Sequence, residues 1–170
     1  MSTGGGPATG RRPAGRGWDD PRGLRAGAIR YVQAAPRSAQ EVRSYLLRRR
    51  APRDLASRIV AECRSHGLLD DRASAALWTE QWSRRGYAWA VIRVKLSAKG
   101  FDEQTIETIG KTKACACDEE ARARLVVQRV RGRSGPSTRV RLARRLSARG
   151  FDPDVIERLL GDPLTSLLSD

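Results

Sequence analysis

The feature that most constrains this chain is an internal repeat with a period of 50 residues. Residues 96–109 read LSAKGFDEQTIETI and residues 146–159 read LSARGFDPDVIERL, with eight of the 14 positions identical. A weaker copy lies another 50 residues upstream, at 46–59, where Leu46 and the basic residue Arg49 keep their places. A unit that recurs at a fixed period is typical of proteins that stack one small structural unit on the next. We therefore expect three copies of one unit.

Each copy has the pattern of short helices. In the second copy, Ile92 and Leu96 stand four residues apart on one helical face, and Gly100 follows as a helix-ending residue. Asp102 is placed to cap the next helix, and the third copy repeats the arrangement around Gly150. No stretch alternates apolar and polar residues as a strand does. The prediction is an all-α protein whose tandem helical repeats form an elongated, curved array, because units this small need neighbours to bury enough surface.

Composition separates a tail from the repeats. Residues 1–26 contain Leu24 as their single Leu, Ile, Val or Phe, and they are rich in Gly, Pro and Arg. A segment with so few core residues is predicted to be disordered. The expected divisions that follow are repeat 1 at 27–76, repeat 2 at 77–125, repeat 3 at 126–161 and a C-terminal tail at 162–170.

The charge of the chain points to a polyanionic partner. It carries 33 basic and 19 acidic residues, a net charge of +14, and 29 of the basic residues are arginine, which suits phosphate and carboxylate contacts. No apolar run approaches the ~20 residues of a membrane span. The arginine-containing start lacks the apolar stretch of a secretory signal. Three cysteines cannot close a disulfide framework, so we expect a cytoplasmic protein with reduced thiols.

Three short motifs have simpler interpretations than catalysis or ligand binding. The GKT at 110–112 lacks the upstream glycine and the strand of a phosphate-binding loop. Cys115 and Cys117 are closer in sequence than the usual pair of zinc ligands. Helix capping accounts for Asp70 and Asp71. We expect no catalytic residue, no metal site and no cofactor.

Basic residues gather near the C-terminal end of the central helix of each copy, around the aligned positions 49, 99 and 149. Such residues complement the helix macrodipole, and many basic residues simply lie in solvent. Because repeating a unit repeats its basic edge, we instead expect these clusters to line one polyanion-binding face. The candidate binding residues are Arg43, Arg48, Arg49, Arg50, Arg93, Lys95, Lys99, Arg139, Arg141, Arg144, Arg145 and Arg149.

Four segments resemble, in order and spacing, the RecX family of bacterial recombination regulators. They read PRSAQEVRSYLLRR (36–49), GLLDDRASAALW (67–78), RVKLSAKGFDEQTIETI (93–109) and RLARRLSARGFDPDVIERLL (141–160). The likeness covers about residues 27–160, with Ala51 departing from the aromatic residue of the Gly-Phe pair. The resemblance implies tandem three-helix units without a catalytic centre.

The same resemblance implies a regulator that lodges in the groove of the RecA–DNA filament and restrains ATP hydrolysis, strand exchange and support of repressor cleavage by RecA. The expected partners are the RecA filament and, weakly and without sequence specificity, single- and double-stranded DNA. We expect a monomer with no membrane contact. The alternative is a helix-turn-helix-like DNA-binding or chromatin-organising protein, because basic helical units also suit direct contact with DNA. A RecA-dependent effect on ATP hydrolysis separates the two.

Overall fold

The computed structural model describes residues 20–111, 119–134 and 139–161, and every regular element in those ranges is an α-helix. The predicted all-α class is therefore confirmed. None of the helices in these ranges combines the length and the apolar character that crossing a membrane requires. Residues 1–19, the predicted C-terminal tail at 162–170, and Cys115 and Cys117 lie outside the described residues.

The helices follow one another in three groups of three, and each group opens with its longest helix. The first group is α1 (Pro21–Ala34), α2 (Ala39–Arg48) and α3 (Arg53–Ser65). The second is α4 (Asp71–Arg84), α5 (Trp89–Ala98) and α6 (Glu103–Gly110), and the third is α7 (Glu119–Ser134), α8 (Arg139–Ser147) and α9 (Pro153–Leu160). The second and third helices of successive groups begin 50 residues apart, matching the period of the sequence repeat.

Polar side chains start the helices where the sequence places them. The Asp102 side chain accepts a hydrogen bond from the backbone N–H of Thr105 at 2.7 Å, and Asp70 caps α4 in the same way. Ser38 and Glu41 form a reciprocal capping box at the start of α2. These caps supply partners for backbone N–H groups that the first turn of a helix leaves unpaired.

The turn after the second helix has the same backbone in all three groups. Its first unwound residue takes a positive φ, which is 61° at Arg50, 79° at Gly100 and 81° at Gly150. The next residue donates its N–H back to the buried leucine five positions earlier and is itself buried: Ala51, Phe101 and Phe151. Gly100 and Gly150 therefore end their helices as the sequence predicts, and Arg50 takes the same left-handed conformation in the first group.

Each group buries its own apolar cluster. The clusters centre on Leu46 and Ile59, on Leu96 and Ile106, and on Leu146 and Ile156. The leucines Leu46, Leu96 and Leu146 hold the same place in the repeat and are all 0% exposed. Full burial of one such side chain stabilises a fold by ~1.5–3 kcal/mol, so these clusters set the stability of each group.

The predicted repeat boundaries at 27, 77 and 126 are wrong, because each of them cuts through the first helix of a group. Helix α1 begins at Pro21, since Asp20 accepts hydrogen bonds from the N–H groups of Arg22 and Gly23. The Gly and Pro content of residues 1–26 led to the wrong boundary, since residues 21–26 belong to α1. Gly27 is buried in α1, where an added Cβ would stand 3.0 Å from the Tyr45 hydroxyl, so this glycine serves close packing.

We expect Gly150→Ala to lower the free energy of unfolding by about 2–5 kcal/mol, measured by urea denaturation. A non-glycine residue at positive φ costs about 1–2 kcal/mol. An added Cβ at Gly150 would also stand 2.4 Å from Val91 Cγ2 and 3.3 Å from Val91 Cβ, and such overpacking costs about 1–3 kcal/mol more.

Gly67→Ala is the matched control, because Gly67 has a φ of 67° and no atom within 4 Å of an added Cβ. Its free energy of unfolding should fall by only about 1 kcal/mol, because the variant places a non-glycine residue at positive φ and creates no close contact. Equal losses of unfolding free energy in the two variants would mean that the close packing of Gly150 against Val91 does not affect stability.

Candidate polyanion interface

Positive charge is concentrated in the two outer groups of helices. Residues 20–70 hold eleven arginines against five acidic residues, and residues 119–161 hold the same numbers. Residues 71–111, which form the middle group, hold seven basic residues against five acidic ones. A surface that attracts a polyanion therefore belongs to the ends of the described chain more than to its middle.

Helix α8 presents the clearest basic face. Arg141, Arg144 and Arg145 stand at positions i, i+3 and i+4, so their side chains share one side of the helix, and all three are exposed. Leu142 and Leu146 occupy the buried side. Within the described part of the chain, none of these three arginines forms an ion pair with a carboxylate. Arg139, at the start of the helix, is also exposed.

A second basic cluster lies at the end of α2 and in the turn that follows. Arg43, Arg48 and Arg50 are exposed. The guanidinium of Arg49 lies over the ring of Tyr45, 4.5 Å from its centroid, in a cation–π contact. The cluster does not repeat the basic pattern of α8, because the equivalents of Arg141, Arg144 and Arg145 on α2 are Glu41, Ser44 and Tyr45.

The candidate residues on α5 mostly have partners in the middle group. Arg93 pairs with Glu103 of α6. Lys95 is half-buried, with its ammonium 4.8 Å from the centroid of the Tyr87 ring and 5.8 Å from that of Trp82. Contacts of this kind reduce what either side chain offers to an external phosphate.

Lys99 forms a joint between the first and second groups. Its ammonium lies 3.0 Å from Glu41 Oε1 and 4.0 Å from the centroid of the Trp78 ring. Its backbone carbonyl accepts a hydrogen bond from the Ser38 hydroxyl at 2.5 Å. Both the side chain and the backbone of Lys99 therefore bind the start of α2, and the adjacent Gly100 leaves no room for a Cβ, which would stand 2.7 Å from a side-chain carbon of Gln40.

Arg149 forms the equivalent joint between the second and third groups. Its backbone carbonyl accepts a hydrogen bond from the N–H of Ala88 at 3.0 Å, and Ala88 corresponds to Ser38 in the repeat. Its guanidinium donates to the carbonyl of Arg85 and lies over the ring of Tyr87, 5.5 Å from the centroid. The joint therefore recurs with the same backbone acceptor and a different donor.

An acidic residue at the start of the next group completes each joint. Asp71 accepts a hydrogen bond from the N–H of Ala39 at 2.7 Å, and Glu119 accepts one from the N–H of Trp89 at 3.0 Å. Ala39 and Trp89 are the first residues of α2 and α5. The local sequence pattern predicts a capping role for Asp71 within its own helix, and it does not reveal that Asp71 and Glu119 contact the preceding group. Their shared position, first in the opening helix of a group, is the signal that identifies them.

Two of the three aligned basic positions are thus used inside the fold. Lys99 and Arg149 hold adjacent groups together, whereas Arg49 belongs to the first group and stacks on its own helix. The 50-residue register of these positions reflects a repeated joint. The candidate interface is carried by the exposed arginines of α8 and of the turn after α2.

The shifted pKa values belong to structural contacts. The Arg25 guanidinium donates two hydrogen bonds to the Glu62 carboxylate, at 2.7 and 2.9 Å, which holds the pKa of Glu62 below its usual range. The backbone N–H of Thr105 likewise lowers the pKa of Asp102. Burial raises the pKa of the Cys63 thiol, with the charge of Glu62 adding to the effect. A thiol held protonated in the core is a poor nucleophile.

The two described residues of the GKT motif, Gly110 and Lys111, lie at the end of a helix. Helix α6 ends at Gly110 with Lys111 as its C-cap, so a helix leads into this GKT where a phosphate-binding loop would follow a strand. Among the described residues, no three His, Cys, Asp or Glu side chains are grouped to hold a metal ion.

Comparison with known proteins places this arrangement in a family. No family model matches the chain. It is 27% identical over 144 residues to the regulatory protein RecX of Thermobifida fusca, covering 82% of this chain and 78% of the relative. It is 31% identical over 137 residues to the regulatory protein RecX of Escherichia coli (strain SE11), covering 73% of this chain and 81% of the relative. The chain belongs to the RecX family.

Solved RecX structures share the fold. The crystal structure of RecX from Lactobacillus salivarius superposes with a TM-score of 0.60 at 21% identity, covering 83% of this chain and 94% of that one. A second crystal structure of a regulatory protein RecX gives a TM-score of 0.62 at 21% identity, covering 84% of this chain and 74% of that one. The described helices therefore have the fold of these solved RecX proteins.

We expect Lys99→Gln and Arg149→Gln each to lower the free energy of unfolding by about 1 kcal/mol, because each removes a half-buried cationic contact at a joint. Arg144→Gln and Arg145→Gln should change it by less than about 0.5 kcal/mol, since both side chains are exposed. Urea unfolding followed by circular dichroism measures all four variants. Similar values for the two pairs would contradict the division between joint and surface residues.

Proposed function

We propose that this RecX-family chain binds the RecA–DNA filament and restrains ATP hydrolysis, strand exchange and coprotease activity of RecA. The observation that carries the proposal is the α8 face, three exposed arginines on one side of a helix without a carboxylate partner in the described residues, in a chain of the RecX family. A filament of protein and DNA offers a regular row of phosphates to such a surface.

The proposed action is binding alone, by a monomer in the cytoplasm, with weak and sequence-independent affinity for DNA outside the filament. Arginine contacts to phosphates position a protein on nucleic acid without reading its sequence. Restraint of RecA then follows from occupying the filament, and it needs no catalytic group or cofactor on this chain.

A second candidate function is direct binding of duplex DNA by helix-turn-helix-like units. It is favoured by the short turns that separate α2 from α3 and α5 from α6, each four residues long. A helix-turn-helix protein places its second helix in the major groove and reads base edges there. It would therefore act on DNA whether or not RecA is present.

The deciding experiment is the DNA-dependent ATPase of RecA from the same organism, titrated with the purified chain. We expect the rate to fall as the chain is added at a fixed, saturating concentration of single-stranded DNA. A rate unchanged at a molar excess over RecA would overturn the proposal. Tight binding to one duplex sequence in the absence of RecA would favour the second candidate.

We expect the triple variant Arg141→Gln, Arg144→Gln and Arg145→Gln to require about tenfold more protein for half-inhibition of the ATPase. One exposed ionic contact is worth about 0.2–1 kcal/mol, so three together give a measurable loss where one would not. The salt dependence of DNA binding should become shallower by about one for each phosphate that the variant no longer binds.

The matched control replaces Arg22, Arg30 and Arg72 by Gln, removing the same net charge from exposed positions of α1 and α4. Its half-inhibitory concentration should stay within about twofold of the parent chain. Equal losses in both triple variants would show that total charge, and not the α8 face, sets the affinity.

A further inference from the structure

Arg50 occupies a backbone position that the other two groups reserve for glycine. Its φ is 61°, close to the 79° of Gly100 and the 81° of Gly150, and it is the one non-glycine residue with positive φ in the described chain. The left-handed conformation brings the Cβ of an L-residue against the following carbonyl, and glycine avoids this clash. Arginine therefore strains the turn after α2.

In the second and third groups, glycine is required at this position for two reasons, the backbone conformation and the lack of space. Besides the positive φ, an added Cβ at Gly100 would stand 2.7 Å from Gln40 Cβ, and one at Gly150 would stand 2.4 Å from Val91 Cγ2. These neighbours belong to the preceding group at each joint. No group of described residues precedes the first, so the steric restriction is lifted at Arg50, which is exposed. The backbone restriction remains.

No ion pair in the described part of the chain compensates for this strain. The Arg50 side chain forms none there, and neither do those of Arg48 and Arg53 beside it. The negative end of the α2 macrodipole is already served by Arg48 in its last turn and by its C-cap Arg49. Arg50 adds a third positive charge at this end of α2.

We propose that the turn at 48–53 binds the phosphodiester backbone of DNA, with Arg50 held in a strained conformation that aims its guanidinium at a phosphate. This deepens the proposed function and rests on it for the identity of the polyanion. The exposed side chains of the turn are three arginines and Pro52. Protein interfaces have an apolar or aromatic centre, whereas a DNA backbone is contacted chiefly by arginine and lysine.

The test is Arg50→Gly, which should change stability and binding in opposite directions. Removing the strain should raise Tm by about 2–4 °C. Affinity for a fluorescein-labelled oligo-dT strand, measured without RecA, should fall about two- to fivefold. The slope of log K against log salt should become shallower by about 0.7, the value for one phosphate contact on a single strand.

Two further variants separate charge from conformation. Arg50→Lys keeps both the positive charge and the strain, so its salt slope and its Tm should match those of the parent chain. Arg30→Gln removes one exposed charge from α1 and should leave the affinity for oligo-dT within about 1.5-fold. A weakening of binding confined to Arg50→Gly assigns the phosphate contact to this turn.

Three results would overturn the proposal. A stabilised Arg50→Gly variant that binds oligo-dT like the parent chain shows that the turn does not contact DNA. Unchanged DNA binding with weaker inhibition of RecA assigns the turn to a protein surface instead. An unchanged Tm of the Arg50→Gly variant would show that the backbone at Arg50 is not strained, and the proposal depends on that strain. The proposed function is tested separately, by the RecA ATPase assay with the parent chain. That assay does not use oligo-dT, so the two proposals can fail independently.

Discussion

The arrangement of the helices depends on one joint, formed twice. In each case the carbonyl of a basic residue at the end of a second helix accepts a hydrogen bond from the start of the preceding second helix, and a glycine beside it permits close approach. An acidic residue from the next group caps that same helix start. Three-helix groups of about 40 to 50 residues bury too little surface to be stable alone, so these joints add what the separate cores lack.

The joints also decide where the positive charge is available. At the two joints, the Lys99 ammonium pairs with the Glu41 carboxylate of the first group, and the Arg149 guanidinium contacts the Arg85 carbonyl and the Tyr87 ring of the second. Exposed arginines remain on α8 and after α2, on either side of a middle group with little net charge. In the proposed function these two surfaces contact one filament together, and linked weak contacts gain from effective concentration when both reach their sites.

Much of the local structure was predictable because it is encoded locally. The capping box at Ser38, the cap at Asp102 and the left-handed Gly100 each follow from a few adjacent residues. The start of α1 was not, because Gly and Pro content alone does not distinguish a disordered tail from residues 21–26, which belong to a helix packed against α2 and α3. The role of Lys99 was missed for a related reason, since Glu41 and Trp78 are distant in sequence.

The sequence by itself determined that this is a helical repeat protein with an excess of arginine, because periodicity, caps and charge are properties of short segments. Only the tertiary structure decided which of its basic residues face solvent. An aligned position such as 49, 99 or 149 has the same place within its own group, but its surroundings depend on whether another group precedes it. Arg50 and Gly100 differ for that physical reason, since one ends in solvent and the other is pressed against Gln40.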